Sequence, residues 1–333
     1  MAQTKKELVQ AALEQKAVDR VPVGFWFHFL ADPEKQDALA DPQKAAANIA
    51  GHRRFYEDFQ PDFVKIMSDG YFGYPHPGLA RVKTAADLGR LEPLGDRHPW
   101  IDAQVQLVQR LQQIFGAEVL SFYNIFAPAR VLEWSLPAYT KELLGDFIQQ
   151  DKAAVKRGLG AIAQDIAALS RRLIQEGGAT GIYFSVQNIA DVRIDRKAYA
   201  EVFAPGEQFI LQTANKASRY NILHICGYEG HHNDLHWYED YEAAAYNWAV
   251  AVEQLPLEKG REIFHGRTVL GGFANTAAGI LSAGDENAIK AETHRLLAAA
   301  GSQGVILGAD CTVPGDIPFR HLEWVREAAA EQL

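Results

Sequence analysis

Short apolar runs rich in β-branched and aromatic residues alternate with longer helical patterns along almost the whole chain. This alternation favours parallel strands that are joined by crossover helices. Eight runs are predicted to be strands: 22–28, 62–67, 118–123, 180–185, 220–226, 244–250, 267–272 and 304–309. Eight strand and helix units in 333 residues match a (β/α)8 TIM barrel, and we expect residues 1–333 to form one such domain.

The clearest helical pattern is a stripe of apolar residues at steps of three or four between residues 155 and 173. One apolar face of this kind is typical of a helix that packs on a sheet, and the glycines at 177 and 178 are expected to end it. A second helix is predicted to begin at Asp285, as its N-cap, and to end at Gly301. The first 22 residues predict an amphipathic N-terminal helix.

The chain has no glycine-rich phosphate-binding turn of either common kind, GxGxxG or GxxxxGKS/T. A doubly wound sheet normally carries such a turn after its first strand, so the barrel is favoured. The segment 70–99 is rich in proline and glycine and short of strand signals. It predicts a long loop with a short helix that borders the site or caps one end of the barrel.

The formal charge of −9, without any run of lysine and arginine, argues against nonspecific binding to nucleic acid. No segment offers the about 18 consecutive apolar residues of a membrane span, and the amino terminus lacks the apolar centre of a signal peptide. We therefore expect a cytoplasmic protein with small-molecule or protein partners. In a reducing compartment the two cysteines are expected to be free thiols or metal ligands rather than a disulfide.

Polar residues follow most of the predicted strands, where the active site of a (β/α)8 barrel lies. Asparagine and aspartate are also ordinary turn formers at strand ends, so each one taken alone has a structural explanation. The candidates for a site are His28, Asp69, Asn124, Gln187, Asn188, His224, Cys226, Asn247, Asn275, Asp310 and Cys311.

His224 and Cys226 belong to the fifth predicted strand, and Cys311 follows the eighth. Residues two apart on a strand share one face, so the HxC spacing directs both side chains inward. Two thiolates and one imidazole around zinc, with a fourth position open to substrate, form an established catalytic arrangement. The alternative is a pair of buried apolar thiols and a histidine that is hydrogen-bonded in the core. The identity of a fourth protein ligand stays open, and the candidates are Glu242, Asn247 and Asp310.

Four segments resemble the uroporphyrinogen decarboxylase superfamily, and within it the zinc-dependent thiol methyltransferases that act with corrinoid proteins. The segments are RVPVGFWFHF, VKIMSDG, VLGGFAN and LGADCTVPGDIP. The resemblance extends over nearly the whole chain and implies a (β/α)8 barrel. It also implies zinc as a cofactor, bound at His224, Cys226 and Cys311, because the methyltransferases carry HxCG at the fifth strand and a cysteine after the last.

The chain departs from the true decarboxylases at two places. In the decarboxylases, the segment after the first strand is similar to RxPVWxMRQAGRY, and its arginines bind the acidic porphyrinogen. The decarboxylases also carry GHG at the last strand. This sequence has FWFHFL and ADC instead. A substrate with eight carboxylates needs fixed cations, so the departures favour the methyltransferases. Asp69 nevertheless occupies the position of the essential aspartate of the decarboxylases.

The resemblance thus implies an enzyme that moves a methyl group from a corrinoid or another small donor to a zinc-activated thiol. Asp69 is expected to be catalytic, and five residues are expected to bind substrate: His28, Asn124, Gln187, Asn247 and Asn275. A corrinoid is expected to arrive on a separate protein. The alternatives are a decarboxylase of the same superfamily, in which Asp69 stabilises a protonated pyrrole, and a barrel that binds a metal or ligand without turnover. A homodimer is one option for the oligomeric state.

Overall fold

The computed structural model describes residues 2–331, apart from the side chain of Glu229. Seven parallel strands form one sheet in which every strand pairs with its neighbours in the sequence. This order is that of a barrel built from repeated strand and helix units. The strands are β1 (Phe63–Ile66), β2 (Leu120–Phe126), β3 (Gly181–Val186), β4 (Ile222–Ile225), β5 (Ala245–Trp248), β6 (Thr268–Phe273) and β7 (Val305–Ala309).

Residues 22–28 do not form the predicted strand, so the barrel is TIM-like but not fully closed. The segment forms a single bridge, between Val23 and Leu307 of β7. Pro22 has no N–H to donate, and the N–H of Val23 donates to the Asp62 carboxylate at 2.8 Å instead of to a strand. The ladder of backbone hydrogen bonds that defines a strand is therefore interrupted at its start.

Helices cover the outside of the sheet, and several begin where the sequence provides a start signal. Proline occupies the first helical position of α2, α4 and α5, where its missing N–H costs nothing. The helices are α1 (Lys5–Leu13), α2 (Pro42–Phe59), α3 (Ala85–Leu88), α4 (Pro99–Phe115), α5 (Pro128–Ser135), α6 (Leu143–Gln175), α7 (Arg196–Val202), α8 (Ala204–Ala217), α9 (Val250–Glu253), α10 (Leu257–Ile263), α11 (Ile280–Ala283), α12 (Glu286–Ala300) and α13 (Phe319–Glu331).

The predicted helices are confirmed. The apolar stripe lies on α6, which ends just before the glycine pair. α12 begins after Asp285, whose carboxylate accepts a hydrogen bond from the N–H of Ala288 at 2.9 Å, and Gly301 caps its end. In the segment 70–99, a short 3₁₀ turn and α3 interrupt the loop before α4 begins at Pro99. Among residues 2–331, no helix has both the length and the apolar character that crossing a membrane requires.

The inside of the barrel is filled by side chains that alternate along the strands. An apolar layer at its amino-terminal end includes Phe63, Phe122, Tyr183 and Ile222, and α1 packs beneath it. Polar side chains replace this layer towards the carboxyl ends of the strands. The floor of the candidate site is therefore a rigid, packed core.

Candidate metal centre

The three predicted metal ligands meet at the carboxyl end of the sheet. His224 lies in β4, Cys226 comes directly after that strand, and Cys311 follows β7 by two residues. One nitrogen of His224 and the two sulfur atoms lie within 4.8 Å of one another, and the Cys311 Sγ is 3.6 Å from the His224 Nε2. The N–H of Cys226 donates to the Val186 carbonyl at 2.8 Å, which fixes the backbone at this ligand.

Asn247 of β5 determines which nitrogen of His224 carries the proton. The Asn247 amide nitrogen donates to the carbonyls of Leu270 and Ala309, at 2.9 and 3.2 Å, so its oxygen must be the acceptor. That oxygen faces the His224 Nδ1, and it also accepts a hydrogen bond from the Tyr183 hydroxyl at 2.9 Å. Neutral His224 is therefore protonated at Nδ1, and its Nε2 presents a free electron pair towards Cys311.

Replacing Asn247 by alanine is expected to weaken metal binding by about 10–100-fold, because His224 loses the group that sets its tautomer and orientation. Zinc competition against a chromogenic chelator measures the change. The control is Asn215→Ala, which removes an amide of α8 that donates to the Glu242 carbonyl on the outside of the sheet and so leaves His224 and the loop of Cys311 unaltered. Equal losses in the two variants would contradict the role of Asn247.

The two thiols have different acidities. Cys226 is buried, and its hydrogen bond to Cys311 is the largest cause that raises the pKa of Cys226. The same bond is the largest cause that lowers the pKa of Cys311 well below its ordinary value. Cys311 is therefore the first of the pair to become a thiolate, which is the form that binds a metal. A thiolate, a second thiol and an unprotonated imidazole nitrogen together fit zinc, whose usual protein ligands are sulfur and nitrogen.

Lys65, in the middle of β1, is a charged residue of the site that the sequence analysis did not select. Its side chain points into the barrel, is only 4% exposed, and lines the same cavity as the metal ligands. The Nζ atom lies 4.0 Å from the ring centre of Tyr183 and 4.8 Å from that of Trp26. Burial lowers the pKa of Lys65 to about 8. The side chain is thus still mainly an ammonium at neutral pH.

The cavity above the three ligands has a volume of about 300 Å³. Phe72, Phe126 and Trp134 form an aromatic wall on one side, with ring centres 4.6–4.8 Å apart. Arg130 lies 5.0 Å from the Trp134 ring and forms an ion pair with Glu133 at 2.6 Å. The cavity is therefore apolar on one side and charged at its rim and floor, a typical composition for a small-molecule site.

Asp69 lies one layer behind the cavity. Its carboxylate accepts hydrogen bonds from the His28 Nδ1 at 2.8 Å and from the N–H groups of Phe29 and Leu30 at 2.6 and 3.3 Å. The aspartate is fully buried and is not among the residues that line the cavity. His28 does line it, and its Nε2 is 3.4 Å from the Thr312 hydroxyl. Asp69 thus holds His28 in place.

The other predicted substrate-binding residues divide into two groups. Asn124 and Gln187 line the cavity, and the buried amide oxygen of Asn124 has no hydrogen-bond partner in the described structure. Asn247 and Asn275 do not line it. Asn247 lies behind His224, and the Asn275 amide supports the loop of Cys311 through the Thr312 carbonyl. Asn247 and Asn275 therefore support other residues of the site and do not face the cavity.

None of the three candidates for a fourth ligand belongs to the group formed by His224, Cys226 and Cys311. Glu242 is exposed, Asn247 holds His224, and one oxygen of Asp310 accepts a hydrogen bond from the N–H of Ala251 at 2.9 Å. Within residues 2–331, the only group of three or more histidine, cysteine and acidic residues close enough to share an ion is His224, Cys226 and Cys311. The described chain thus offers three candidate ligands, and all three line the cavity.

Several solved structures share the fold over almost the whole chain, and two of them illustrate the likeness. A methyltransferase from Methanosarcina mazei superposes with a TM-score of 0.70 at 14% identity, over 98% of both chains. A B12-independent methionine synthase from Shewanella sp. W3-18-1 superposes with a TM-score of 0.57 at 13% identity, over 94% of this chain and 97% of that one. Identities this low establish the fold alone. A search of curated protein sequences gave no significant match.

The family is established by sequence. The profile of the uroporphyrinogen decarboxylase (URO-D) family matches residues 73–332. This span includes six of the seven strands and all three candidate metal ligands. Lys65 and Asp69 lie before it, in a part of the barrel to which the family profile does not extend. The chain belongs to the uroporphyrinogen decarboxylase family.

Proposed function

We propose that the protein is a zinc-dependent methyltransferase that moves a methyl group from a corrinoid or another small donor to a thiol. The observation that carries this proposal is the meeting of His224, Cys226 and Cys311 within 4.8 Å at the mouth of the barrel. The hydrogen bond of Asn247 supports it, since it leaves the ligand nitrogen of His224 unprotonated. Of the solved structures with a similar fold, one is named a methyltransferase and another a B12-independent methionine synthase.

Zinc at this position would act as a Lewis acid that keeps a bound thiol in its nucleophilic thiolate form at neutral pH. His224, Cys226 and Cys311 would hold the ion, and Asn247 would hold His224. The thiolate of the acceptor would attack the methyl carbon, so that the sulfur electron pair would become the new S–C bond. With a methylcorrinoid donor, the C–Co bond would break and its electron pair would stay on cobalt as Co(I).

The residues around the centre position the two reactants. The aromatic wall of Phe72, Phe126 and Trp134 excludes water from one side of the cavity, which strengthens electrostatic interactions within it. Asn124 and Gln187 offer polar groups to the acceptor. A cavity of about 300 Å³ is at the low end for a drug-sized ligand and is far too small for a corrinoid. We infer that a corrinoid donor presents its methyl group at the mouth, carried by a separate protein.

A decarboxylase is the second candidate, and the name of the family favours it. The size of the cavity is against it, because a tetrapyrrole with eight carboxylates has far more atoms than this volume holds. The carboxylate of Asp69 is also turned towards His28 and the backbone. Both features favour a small acceptor over a porphyrinogen.

The test is metal analysis of protein purified without added metal or chelator, followed by incubation with methylcobalamin and small thiols. We expect about one zinc per chain, and the appearance of Co(I) corrinoid together with methyl thioether. Zinc without methyl loss from any corrinoid or sulfonium donor would indicate a barrel that binds metal without turnover. Protein that lacks zinc and releases CO₂ from uroporphyrinogen would establish the decarboxylase instead.

A further inference from the structure

Lys65 is a buried cation to which the proposed metal chemistry assigns no part. Among residues 2–331 it has no hydrogen-bond or ion-pair partner, and its Nζ contacts the faces of Tyr183 and Trp26. The Asp69 carboxylate acts on it through space, but that carboxylate accepts hydrogen bonds from His28 and from two backbone N–H groups. The ammonium is therefore desolvated without a carboxylate of its own.

The two candidate thiolate ligands are the charged groups that act most strongly on Lys65. Cys226, Cys311 and Lys65 line one cavity. In a centre loaded with zinc, the two thiolates would balance the charge of the ion, and neutral His224 would add none. An acceptor thiolate at the open fourth position would then leave the centre with one negative charge. Such a charge, away from water, is costly unless an opposite charge lies nearby.

We propose that Lys65 supplies this opposite charge and thereby makes the open position of the centre select an anionic ligand over a neutral one. The ammonium acts through its electric field and needs no direct contact with the ligand. Arg130, at the rim, is paired with Glu133 at 2.6 Å and so contributes little net charge. Lys65 is thus a specificity-determining residue of the proposed reaction, and this role rests on the proposed zinc centre.

The same charge distinguishes the acceptor from the product. The acceptor would be bound as a thiolate, whereas the methyl thioether that forms from it is neutral. The attraction between Lys65 and the bound sulfur would therefore end when the S–C bond forms. Lys65 thus favours binding of the acceptor over retention of the product, whatever the rest of the thiol contains.

The experiment compares two ligands of the open position in full-length protein loaded with Co(II), whose visible spectrum reports the groups around the ion. 2-Mercaptoethanol is expected to bind as a thiolate and imidazole as a neutral molecule, and neither carries a second charged group. The ratio of their dissociation constants cancels changes in metal content and in access to the cavity. Relative to imidazole, 2-mercaptoethanol is expected to bind about tenfold more weakly in Lys65→Met, and the ratio is expected to be kept in Lys65→Arg.

The matched control is Arg130→Met, which removes the only arginine that lines the cavity and is expected to change the ratio much less. Wild-type protein gives a second measurement in case Lys65→Met does not fold. Burial lowers the pKa of Lys65 to about 8. The preference for the thiolate, corrected for the ionised fraction of free thiol, is therefore expected to decline above that pH, as the ammonium loses its proton.

A ratio that Lys65→Met leaves unchanged would overturn the role of Lys65, and so would a preference that stays constant as the pH rises through about 8. If the wild-type protein still binds Co(II) and the thiol in that case, the proposed methyl transfer is unaffected. A chain that binds neither Co(II) nor zinc would overturn both proposals.

Discussion

Replacing Cys311 by serine is expected to remove bound zinc and to lower methyl transfer below detection. Serine keeps the size of the side chain but offers a hydroxyl that does not ionise near neutral pH, so the ion loses its most acidic ligand. The loss of affinity must exceed the roughly 10–100-fold typical of a residue that only supports a ligand. Zinc content after gel filtration and competition with a chromogenic chelator give the two numbers.

The control for this substitution is His236→Ala. His236 is exposed in the loop that follows β4, where it lies 3.3 Å from Glu239, and it belongs to the histidine-rich segment 231–236. We expect this variant to keep its zinc and its activity, because a surface histidine is solvated rather than ligating. Zinc retained in Cys311→Ser, with circular dichroism unchanged, would show that the ion is held elsewhere or not at all.

The meeting of His224, Cys226 and Cys311 was predictable because it depends on two rules of geometry. Side chains alternate along a strand, so His224 and Cys226 share a face. The carboxyl ends of the strands of a barrel lie at one end, so Cys311 reaches the same place from β7. Neither rule depends on knowing the distances between side chains, so both can be applied to a sequence. In the structure the ligand atoms of the three residues lie within 4.8 Å of one another.

The remaining residues of the site were less predictable, because their roles depend on which side chain lies behind which. Asn247 was predicted to bind substrate, and in the structure its amide contacts His224 and two backbone carbonyls. Asp69 was predicted to be catalytic, and in the structure its carboxylate contacts His28. Both roles stay predictions. Lys65 had a signal that went unused: it is the single charged residue in the otherwise apolar strand FVKI. A charge at the centre of a buried strand indicates a function for the interior of the barrel.

The barrel was predictable from its repeating pattern, whereas its closure was not. The segment 22–28 has the composition of a strand, but strand assignment depends on backbone partners that composition does not reveal. In the structure the segment is held at its edges. The N–H of Gly24 donates to the Leu307 carbonyl at 3.0 Å, and the N–H of Asp62 donates to the Val23 carbonyl at 3.3 Å. The N–H of Val23, which would donate to a neighbouring strand in a regular ladder of backbone hydrogen bonds, donates to a side chain instead.

That side chain is Asp62, and Asp62→Ala is expected to lower the free energy of unfolding by about 3 kcal/mol. The carboxylate is fully buried and accepts two hydrogen bonds from Arg20, each 2.6 Å long, and one from the N–H of Val23. Its loss leaves a guanidinium and a backbone N–H without their partner. Breaking a buried pair typically costs about 3–5 kcal/mol, and the low end applies because Arg20 is 22% exposed and can be rehydrated.

Urea unfolding measures this loss, and hydrogen exchange locates it. Exchange at Val23, Gly24 and Leu307 is expected to become faster, while the amides of β2 and β3, far from the seam, keep their protection. The matched control is Glu262→Ala, which removes the exposed ion pair with Lys259 and is expected to cost less than about 0.5 kcal/mol. If Asp62→Ala cost no more than this control, the seam between β7 and β1 would be held by backbone hydrogen bonds and packing, and the side chain of Asp62 would have no part in closing the barrel.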